Sequence, residues 1–279
     1  MALQFQVPSA VVDYVMGQLK ESQLVHPQAA FNHQADLHRR CEVAYRDVDF
    51  LDRIGRTPLE EAVIDGALAF LKANKLVTSD AFYDREAFEA LRKDVKAKFT
   101  DKAGTSFSPT MERLFYMLTS VRRPDRLIEF GCFWGNTLAW FAGPCLGPRP
   151  TYQAGAIYGI DIDAPMLAKA RANFAKLENT QSLHLLDEDG RDTLKRLDGP
   201  FDMVYLEAKK SHEENIYLEL LKAMYHKLPK GAWILAHDST RWTFRQEMEE
   251  YLAFVRDSAN FSQSVSFDVD AFGVELTIK

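Results

Sequence analysis

The sequence has little cysteine, no excess of positive charge and no long apolar run. Its 279 residues include three cysteines, too widely spaced for a disulfide framework or a zinc knuckle. The formal net charge of −6 gives no overall attraction to nucleic acid or anionic lipid. No apolar run has the length of a membrane span, and residues 1–6 lack the features of a signal peptide. We therefore expect a cytoplasmic protein with reduced thiols and no membrane or nucleic-acid partner.

The composition is typical of a globular protein, and the sequence divides into two parts. Hydrophobic residues make up 47% of it and charged residues 27%, with ample apolar material for a core. A polar, glycine-containing stretch from Thr100 to Phe107 separates a helical part from a part that alternates strands and helices. We predict an N-terminal helical segment over residues 1–104 and a second unit over residues 105–279.

The N-terminal segment is predicted to hold four helices. They begin after Ser9 and continue over residues 31–51, 57–71 and 80–99. The third has a clear start, since Thr57 can cap it, Pro58 suits the first helical position and Glu60 follows three residues after the cap. His33 and His38 are five residues apart, which points them to different helix faces rather than to one metal. The segment either covers a substrate pocket, forms a homodimer surface, or does both.

After Ser108 the alternation of strands and helices predicts an α/β fold with a doubly wound, mostly parallel sheet. Five strand–helix units and a closing antiparallel hairpin give seven strands. The first strand follows Arg126, and the others are expected over residues 156–161, 183–186, 201–207, 232–236, 264–269 and 273–279.

A glycine turn links the first of these strands to a helix. Gly131 and Gly135 remove side chains where the backbone must bend and where a ligand can approach closely. Glu129 places a carboxylate at the carboxyl end of the strand, beside the positive end of the helix. The spacing E-x-G-x-x-x-G is sparser than a dinucleotide fingerprint. It therefore suits a nucleoside whose charged tail is an amino acid.

This turn resembles the first motif of class I S-adenosylmethionine (SAM)-dependent methyltransferases. The resemblance implies a Rossmann-like sheet and SAM as cofactor, bound by the turn residues Glu129, Gly131, Phe133, Gly135 and Asn136. Aromatic rings near the turn, such as that of Phe133, could also face the sulfonium of the cofactor. The alternative is that these rings belong to the core.

Further acidic residues follow the next two strands. Asp161 ends the second strand, where an acid can accept both hydroxyls of a ribose. Asp163 is a neighbouring alternative. In the methyltransferase pattern an acid and a small residue after the third strand lie against the adenine, which assigns Asp189 and Gly190 to the cofactor. A solvated acidic turn is the alternative interpretation of that stretch.

Four of the five predicted parallel strands are each followed or ended by one of these acids: Glu129, Asp161, Glu207 and Asp238. Ligands of such sheets bind outside the carboxyl ends of the strands. We therefore predict one shared site, in which Glu207 also borders the cofactor.

The last two of these acids lie in segments that resemble those of metal-dependent O-methyltransferases, the catechol and caffeoyl-coenzyme A group. The segments are Glu207-Ala208-Lys209-Lys210, similar to D-x-x-K, and Asp238-Ser239-Thr240-Arg241-Trp242, similar to D-N-x-x-W. The resemblance implies Glu207, Asp238 and Ser239 as ligands of Mg²⁺ and Lys210 as the general base. Glutamate and serine replace the usual aspartate and asparagine, which predicts weak or lost metal binding. Without metal, His237 beside Asp238 would be the base.

We therefore predict a SAM-dependent methyltransferase that acts on a hydroxyl of a small-molecule acceptor. One alternative is an enzyme that cyclises or cleaves the aminobutyryl chain of SAM. Another is a nucleoside-binding protein without catalysis. Methylation of nucleic acid is disfavoured, because the chain is acidic and no N/D-P-P-Y/F tetrapeptide follows the fourth strand.

Overall fold

The computed structural model describes residues 2–6, 56–100, 107–208, 216–239, 245–269 and 272–279. Within them, an eight-stranded sheet forms the centre of the molecule, in the order β1-β7-β8-β6-β5-β2-β3-β4. The strands are β1 (Leu3–Gln6), β2 (Arg126–Phe130), β3 (Ala156–Asp161), β4 (Leu183–Asp187), β5 (Met203–Leu206), β6 (Trp233–His237), β7 (Gln263–Asp268) and β8 (Val274–Ile278).

The described helices cover both faces of this sheet, as expected for a doubly wound fold. They are α1 (Arg56–Ala73), α2 (Arg85–Lys98), α3 (Pro109–Arg122), α4 (Asn136–Phe141), α5 (Ala164–Phe174), α6 (Gly190–Arg196), α7 (Ile216–Met224) and α8 (Arg245–Val255). Two hydrophobic clusters lie on the sheet, one that includes α1 to α5 and one that includes α6 to α8. None of the described helices is both long and apolar enough to cross a membrane.

The sheet confirms the predicted doubly wound, mostly parallel topology. Every adjacent pair of strands is parallel except the two pairs that β8 makes with β6 and β7. The chain moves outward through β3 and β4 on one side of β2, and through β5 and β6 on the other. The strand order therefore reverses next to β2, which is where ligands of such sheets bind.

The prediction of seven strands is wrong by one, because residues that we expected to be helical form β1. This strand pairs parallel with β7, with Leu3 opposite Val265. Its sequence alternates apolar and polar residues, the period of a strand. Phe5 is buried, with ring centroids 5.7 Å from that of Phe70 and 5.8 Å from that of Phe267, while the glutamines on either side are exposed.

The third and fourth predicted helices correspond to α1 and α2. α2 begins five residues later than expected, because the carboxylate of Asp84 accepts a hydrogen bond from the backbone N–H of Ala87 at 2.9 Å and caps the helix there. Phe82 therefore lies outside the helix and is 74% exposed, although the predicted helix over residues 80–99 included it. The first two predicted helices, His33 and His38 lie outside the described residues.

A buried group of charges joins α1 and α2 to α3. Glu60 Oε2 lies 2.7 Å from Arg92 Nη1 and 3.2 Å from Arg113 Nε. Glu112 Oε2 lies 3.3 Å from Arg92 Nε. Both guanidinium carbons also lie over the ring of Phe88, 4.3 and 4.4 Å from its centroid. These helices and the sheet share one hydrophobic cluster. The domain boundary near residue 104 falls between described segments and stays a prediction.

Candidate active site

The crevice at the carboxyl ends of β2, β3, β5 and β6 gathers the predicted acids. Burial raises the pKa of Glu129 well above its usual range, and the nearby charges of Glu207 and Asp161 raise it further. Burial likewise raises the pKa of Tyr205, with added contributions from Glu207, Glu129 and Asp238. The strands that carry the four carboxylates are neighbours in the sheet, in the order β6-β5-β2-β3, so their carboxyl ends lie side by side. Their roles toward ligands stay predictions.

The two glycines of the turn are required by packing. Both have left-handed backbone angles, with φ of +87° at Gly131 and +80° at Gly135. A Cβ atom on Gly131 would lie 2.8 Å from backbone atoms of Glu207 and Ala208, and one on Gly135 would lie 2.5 Å from the ring of Phe174. Glycine at these positions therefore allows β5 and α5 to pack closely against the turn. This is a second reason for glycine, in addition to the close approach of a ligand that we predicted.

Glu129 is fully buried at the end of β2. Its Oε1 accepts a hydrogen bond from the hydroxyl of Thr137, a residue that the sequence analysis did not single out. Its Oε2 has no hydrogen-bond partner within the described part of the chain. Burying a carboxylate oxygen without a donor is costly, so the site suits a ligand that brings a positive charge. The ammonium of an amino-acid tail meets that requirement.

Asp161 connects the glycine turn to the loop after β3. Its carboxylate accepts hydrogen bonds from the backbone N–H of Phe133 at 2.7 Å and of Asp163 at 2.9 Å. Phe133 has a φ of +48°, an uncommon angle for a residue with a side chain. Asp163, the alternative ribose ligand, is exposed and caps α5 by accepting from the N–H of Met166. Its use as a cap favours Asp161 as the ribose-binding acid.

Asp189 has a local role in addition to the predicted one. It caps α6 and accepts hydrogen bonds from the backbone N–H and the guanidinium of Arg191. These hydrogen bonds and the charge of Arg191 lower the pKa of Asp189. Gly190 lets α6 approach the ring of Phe130, since a Cβ there would lie 2.7 Å from it. Contact of Asp189 and Gly190 with the adenine stays a prediction.

Ile162, which directly follows Asp161, was not among the predicted site residues. Its side chain is 72% exposed, one of two large apolar residues exposed in the described part of the chain. An exposed aliphatic group beside the candidate ribose site offers an apolar surface for the base. The sequence did contain a signal for Ile162, since it is an apolar residue immediately after the acid that ends a strand.

The other side of the crevice holds Glu207, His237 and Asp238. His237 Nδ1 lies 2.9 Å from Glu207 Oε2 and 3.9 Å from Asp238 Oδ1. The Tyr205 hydroxyl donates to the same Glu207 oxygen at 2.9 Å. Asp238 is 2% exposed and has a φ of +59°, and strain of this kind often accompanies function. One potential ligand atom from each of the three residues lies within 4.8 Å of the others.

Asn136, Ser239 and Lys210 complete the set of predicted site residues. Asn136 is buried at the start of α4. Ser239 is buried next to Asp238, and its hydroxyl has no hydrogen-bond partner among the residues described. Lys210, the predicted base, lies outside the described residues.

Comparisons with known proteins agree with this geometry. Residues 128–239 match the family profile described as a methyltransferase domain. This range begins in β2 and ends at Ser239, so it contains every site residue predicted above. No curated protein sequence matches the chain.

Several solved structures share the fold. The SAH-bound methyltransferase PaMTH1 of Podospora anserina is 17% identical, with 84% of this chain and 97% of that chain covered and a TM-score of 0.55. An O-methyltransferase from Bacillus cereus in complex with SAH is 15% identical, with coverages of 76% and 96% and a TM-score of 0.52. The O-methyltransferase TomG from Streptomyces achromogenes in complex with SAM is 17% identical, with coverages of 75% and 94% and a TM-score of 0.50.

The strand order reverses next to β2, the place where doubly wound α/β sheets bind nucleoside ligands. Residues 128–239 match a methyltransferase domain, the class of protein that the glycine turn resembles. This confirms the resemblance inferred from the glycine turn.

Asp161→Ala is expected to weaken SAM binding by about 1.5–3 kcal/mol, or roughly 10- to 150-fold in Kd, because a charge-assisted hydrogen bond to the ribose is lost. Calorimetric titration with SAM measures this change. Asp163→Ala is the matched control, since it removes the helix cap and leaves the proposed ribose ligand. Equal losses of affinity in both variants would contradict the assignment of Asp161.

SAM affinity is expected to fall as the pH is lowered. The fall should begin at a higher pH than it would if Glu129 had the pKa of an ordinary glutamate. The pKa of Glu129 is raised by burial and by the charges of Glu207 and Asp161. As the pH falls, Glu129 therefore becomes protonated sooner than an ordinary glutamate, and the SAM ammonium loses its negative partner. Calorimetry across pH on the wild type and on Glu129→Gln tests this point. An identical pH profile in the variant would show that Glu129 does not hold the ammonium.

Proposed function

We propose that the enzyme transfers the methyl group of SAM to a hydroxyl oxygen of a small-molecule acceptor. The observation that carries this proposal is the cluster of Glu207, His237 and Asp238 next to the cofactor side of the crevice. Since β2, β5 and β6 are adjacent strands, this cluster continues the row that Glu129 begins. A hydroxyl bound at the cluster would therefore lie beside the methyl group of the cofactor.

The reaction requires removal of one proton from the acceptor. The acceptor oxygen bonds to the methyl carbon, the bond from that carbon to sulfur breaks, and its electron pair stays on sulfur to give S-adenosylhomocysteine. The hydroxyl proton passes to a base of the protein. That base is Lys210 where a metal ion occupies the cluster, and His237 where none does.

A divalent ion fits the chemistry of this cluster. Glu207 and Asp238, with Ser239 beside them, supply the oxygen donors that Mg²⁺ prefers. A bound ion lowers the pKa of a coordinated hydroxyl and so makes it a better nucleophile. The ion would be held by the carboxylates of this chain, of which Asp238 is buried and Glu207 is partly buried.

The acceptor side also has an aromatic wall. The ring of Phe272 is stacked on that of His237, with centroids 5.5 Å apart, and the ring of Phe107 meets it edge-on at 5.4 Å. Such a wall suits a small organic acceptor, whereas the net charge of −6 does not favour nucleic acid.

Two further parts of the proposal concern assembly and location. The N-terminal segment is proposed to contribute to a homodimer surface or to border the acceptor pocket. The protein is proposed to act in the cytoplasm, because Cys132 and Cys145 are buried free thiols, as is usual in a reducing compartment.

Identification of the product formed from SAM tests the proposed reaction. Purified protein is incubated with SAM and a panel of phenols and alcohols, and the sulfur-containing product is identified by mass spectrometry. The proposal expects S-adenosylhomocysteine whose formation depends on the acceptor. Methylthioadenosine without acceptor would instead favour cyclisation or cleavage of the aminobutyryl chain. SAM binding without turnover across the panel would favour a non-catalytic nucleoside-binding protein.

A further inference from the structure

We infer that Glu207, His237 and Asp238 form a metal site with mixed nitrogen and oxygen donors, which selects Zn²⁺ or a late first-row transition-metal ion over Mg²⁺. This inference deepens the proposed function and rests on it for the position of the ion beside the acceptor. It adds His237 to the carboxylates as a ligand, a role that neither the resemblance nor the comparisons assign.

The distances fit a single ion. His237 Nδ1 is 2.9 Å from Glu207 Oε2 and 3.9 Å from Asp238 Oδ1. Nitrogen and oxygen ligands bound at about 2.0–2.2 Å from one ion lie roughly 3–4 Å from each other. An ion placed between the three side chains therefore needs little movement of the protein.

The imidazole is also held in place. His237 is the last residue of β6 and pairs with Val274 of β8. Its ring is packed by Phe272 and Phe107. A ligand fixed by backbone pairing and by two rings keeps its donor atom aimed at one point, which is the preorganisation that metal sites require.

The carboxylate opposite the imidazole is oriented in a similar way. The Tyr205 hydroxyl donates to Glu207 Oε2 at 2.9 Å, the kind of outer contact that orients a metal ligand. The buried hydroxyl of Ser239, without a hydrogen-bond partner in the described residues, is a further oxygen next to the site.

The choice of metal follows from the donor set. Mg²⁺ is bound through oxygen and retains several waters. Imidazole nitrogen suits Zn²⁺, Co²⁺, Ni²⁺ and Cu²⁺, whose affinities for such sites exceed those of the earlier ions of the row. With His237 as a ligand, Lys210 is left as the base for the acceptor hydroxyl.

Cobalt is a suitable probe, because its visible absorption and its paramagnetic effect on ligand protons report coordination directly. Untagged, metal-free protein is titrated with Co²⁺ in the absence of SAM and acceptor, and then challenged with Mg²⁺. We expect one Co²⁺ per chain, a paramagnetically shifted imidazole resonance, and retention of Co²⁺ against about a 100-fold excess of Mg²⁺. Displacement by equimolar Mg²⁺, or a spectrum without a shifted imidazole resonance, would overturn the inference.

His237→Phe is the informative variant, because it keeps an aromatic ring between Phe272 and Phe107 and removes both nitrogens. We expect Co²⁺ affinity to fall at least about 10-fold and the shifted imidazole resonance to be lost. His226→Gln changes an exposed histidine and should leave both unchanged. Circular dichroism and SAM binding verify that the variants fold. Wild-type Co²⁺ affinity in a correctly folded His237→Phe protein would overturn the inference.

The metal and methyl-transfer results are separable. Co²⁺ binding that involves His237, without formation of an O-methylated product, would contradict the proposed function and support the metal site. Acceptor methylation by a protein that binds Co²⁺ no better than Mg²⁺ would support the function and overturn the metal site.

Discussion

Asp238→Asn is expected to lower kcat for acceptor methylation by about 10²–10³-fold, the usual cost of removing one preorganised charge from a reacting centre. Asp238 is 2% exposed with a φ of +59°. Asparagine has the same size and tolerates this backbone angle, so the variant should fold. The side chain lies next to His237 on the acceptor side, and SAM affinity should therefore stay within about threefold of the wild type. Steady-state kinetics at saturating SAM and calorimetry with SAM provide the two measurements.

Asp192→Asn is the control for this experiment, because Asp192 is exposed on α6 and pairs with Lys195. It should leave kcat unchanged, as expected for a solvated ion pair. An unchanged kcat in Asp238→Asn would place the acceptor elsewhere. A loss of SAM affinity without a change in kcat would make Asp238 a cofactor ligand instead.

Arg113→Met is expected to reduce the free energy of unfolding by about 3–5 kcal/mol, the cost of removing one partner from a buried ion pair. Arg113 is fully buried on α3 and contacts Glu60 of α1 and Glu89 of α2. Methionine fills part of the volume but leaves Glu60 with one guanidinium fewer. Urea unfolding with linear extrapolation measures the difference.

Arg149→Met provides the comparison on the surface. Arg149 lies 3.2 Å from Glu86, and both side chains are more than half exposed, so its loss should cost less than about 1 kcal/mol. Similar losses of stability in the two variants would show that the charges between α1, α2 and α3 do not anchor the N-terminal helices to the domain.

The parallel sheet was predictable because its signals are local. Each strand from β2 to β6 is a short apolar run followed by a turn and an amphipathic helix, and chain order alone then implies a doubly wound sheet. The same rule places Glu129, Asp161, Glu207 and Asp238 at one edge, because the carboxyl ends of parallel strands meet there. No further information was needed to group these acids.

The parts that sequence analysis missed depend on contacts between distant segments. β1 pairs with β7, more than 250 residues away along the chain, and no local pattern identifies that partner. Proximity of His237 to Glu207 depends on how β5 and β6 are aligned, with Leu206 opposite Ala236. The start of α2 at Arg85 was missed for a local reason, because Asp84 is one of several acids in that stretch that can cap a helix.

The central claim is methyl transfer from SAM to an acceptor oxygen, and a labelled methyl group tests it most directly. The protein is incubated with trideuteromethyl-SAM and a hydroxyl acceptor that supports S-adenosylhomocysteine formation, and the product is examined by mass spectrometry and NMR. The account predicts an intact CD₃ group on the acceptor oxygen, formed by the wild type and strongly reduced in Asp238→Asn. Label that stays on methylthioadenosine, or an acceptor recovered without label, would contradict it.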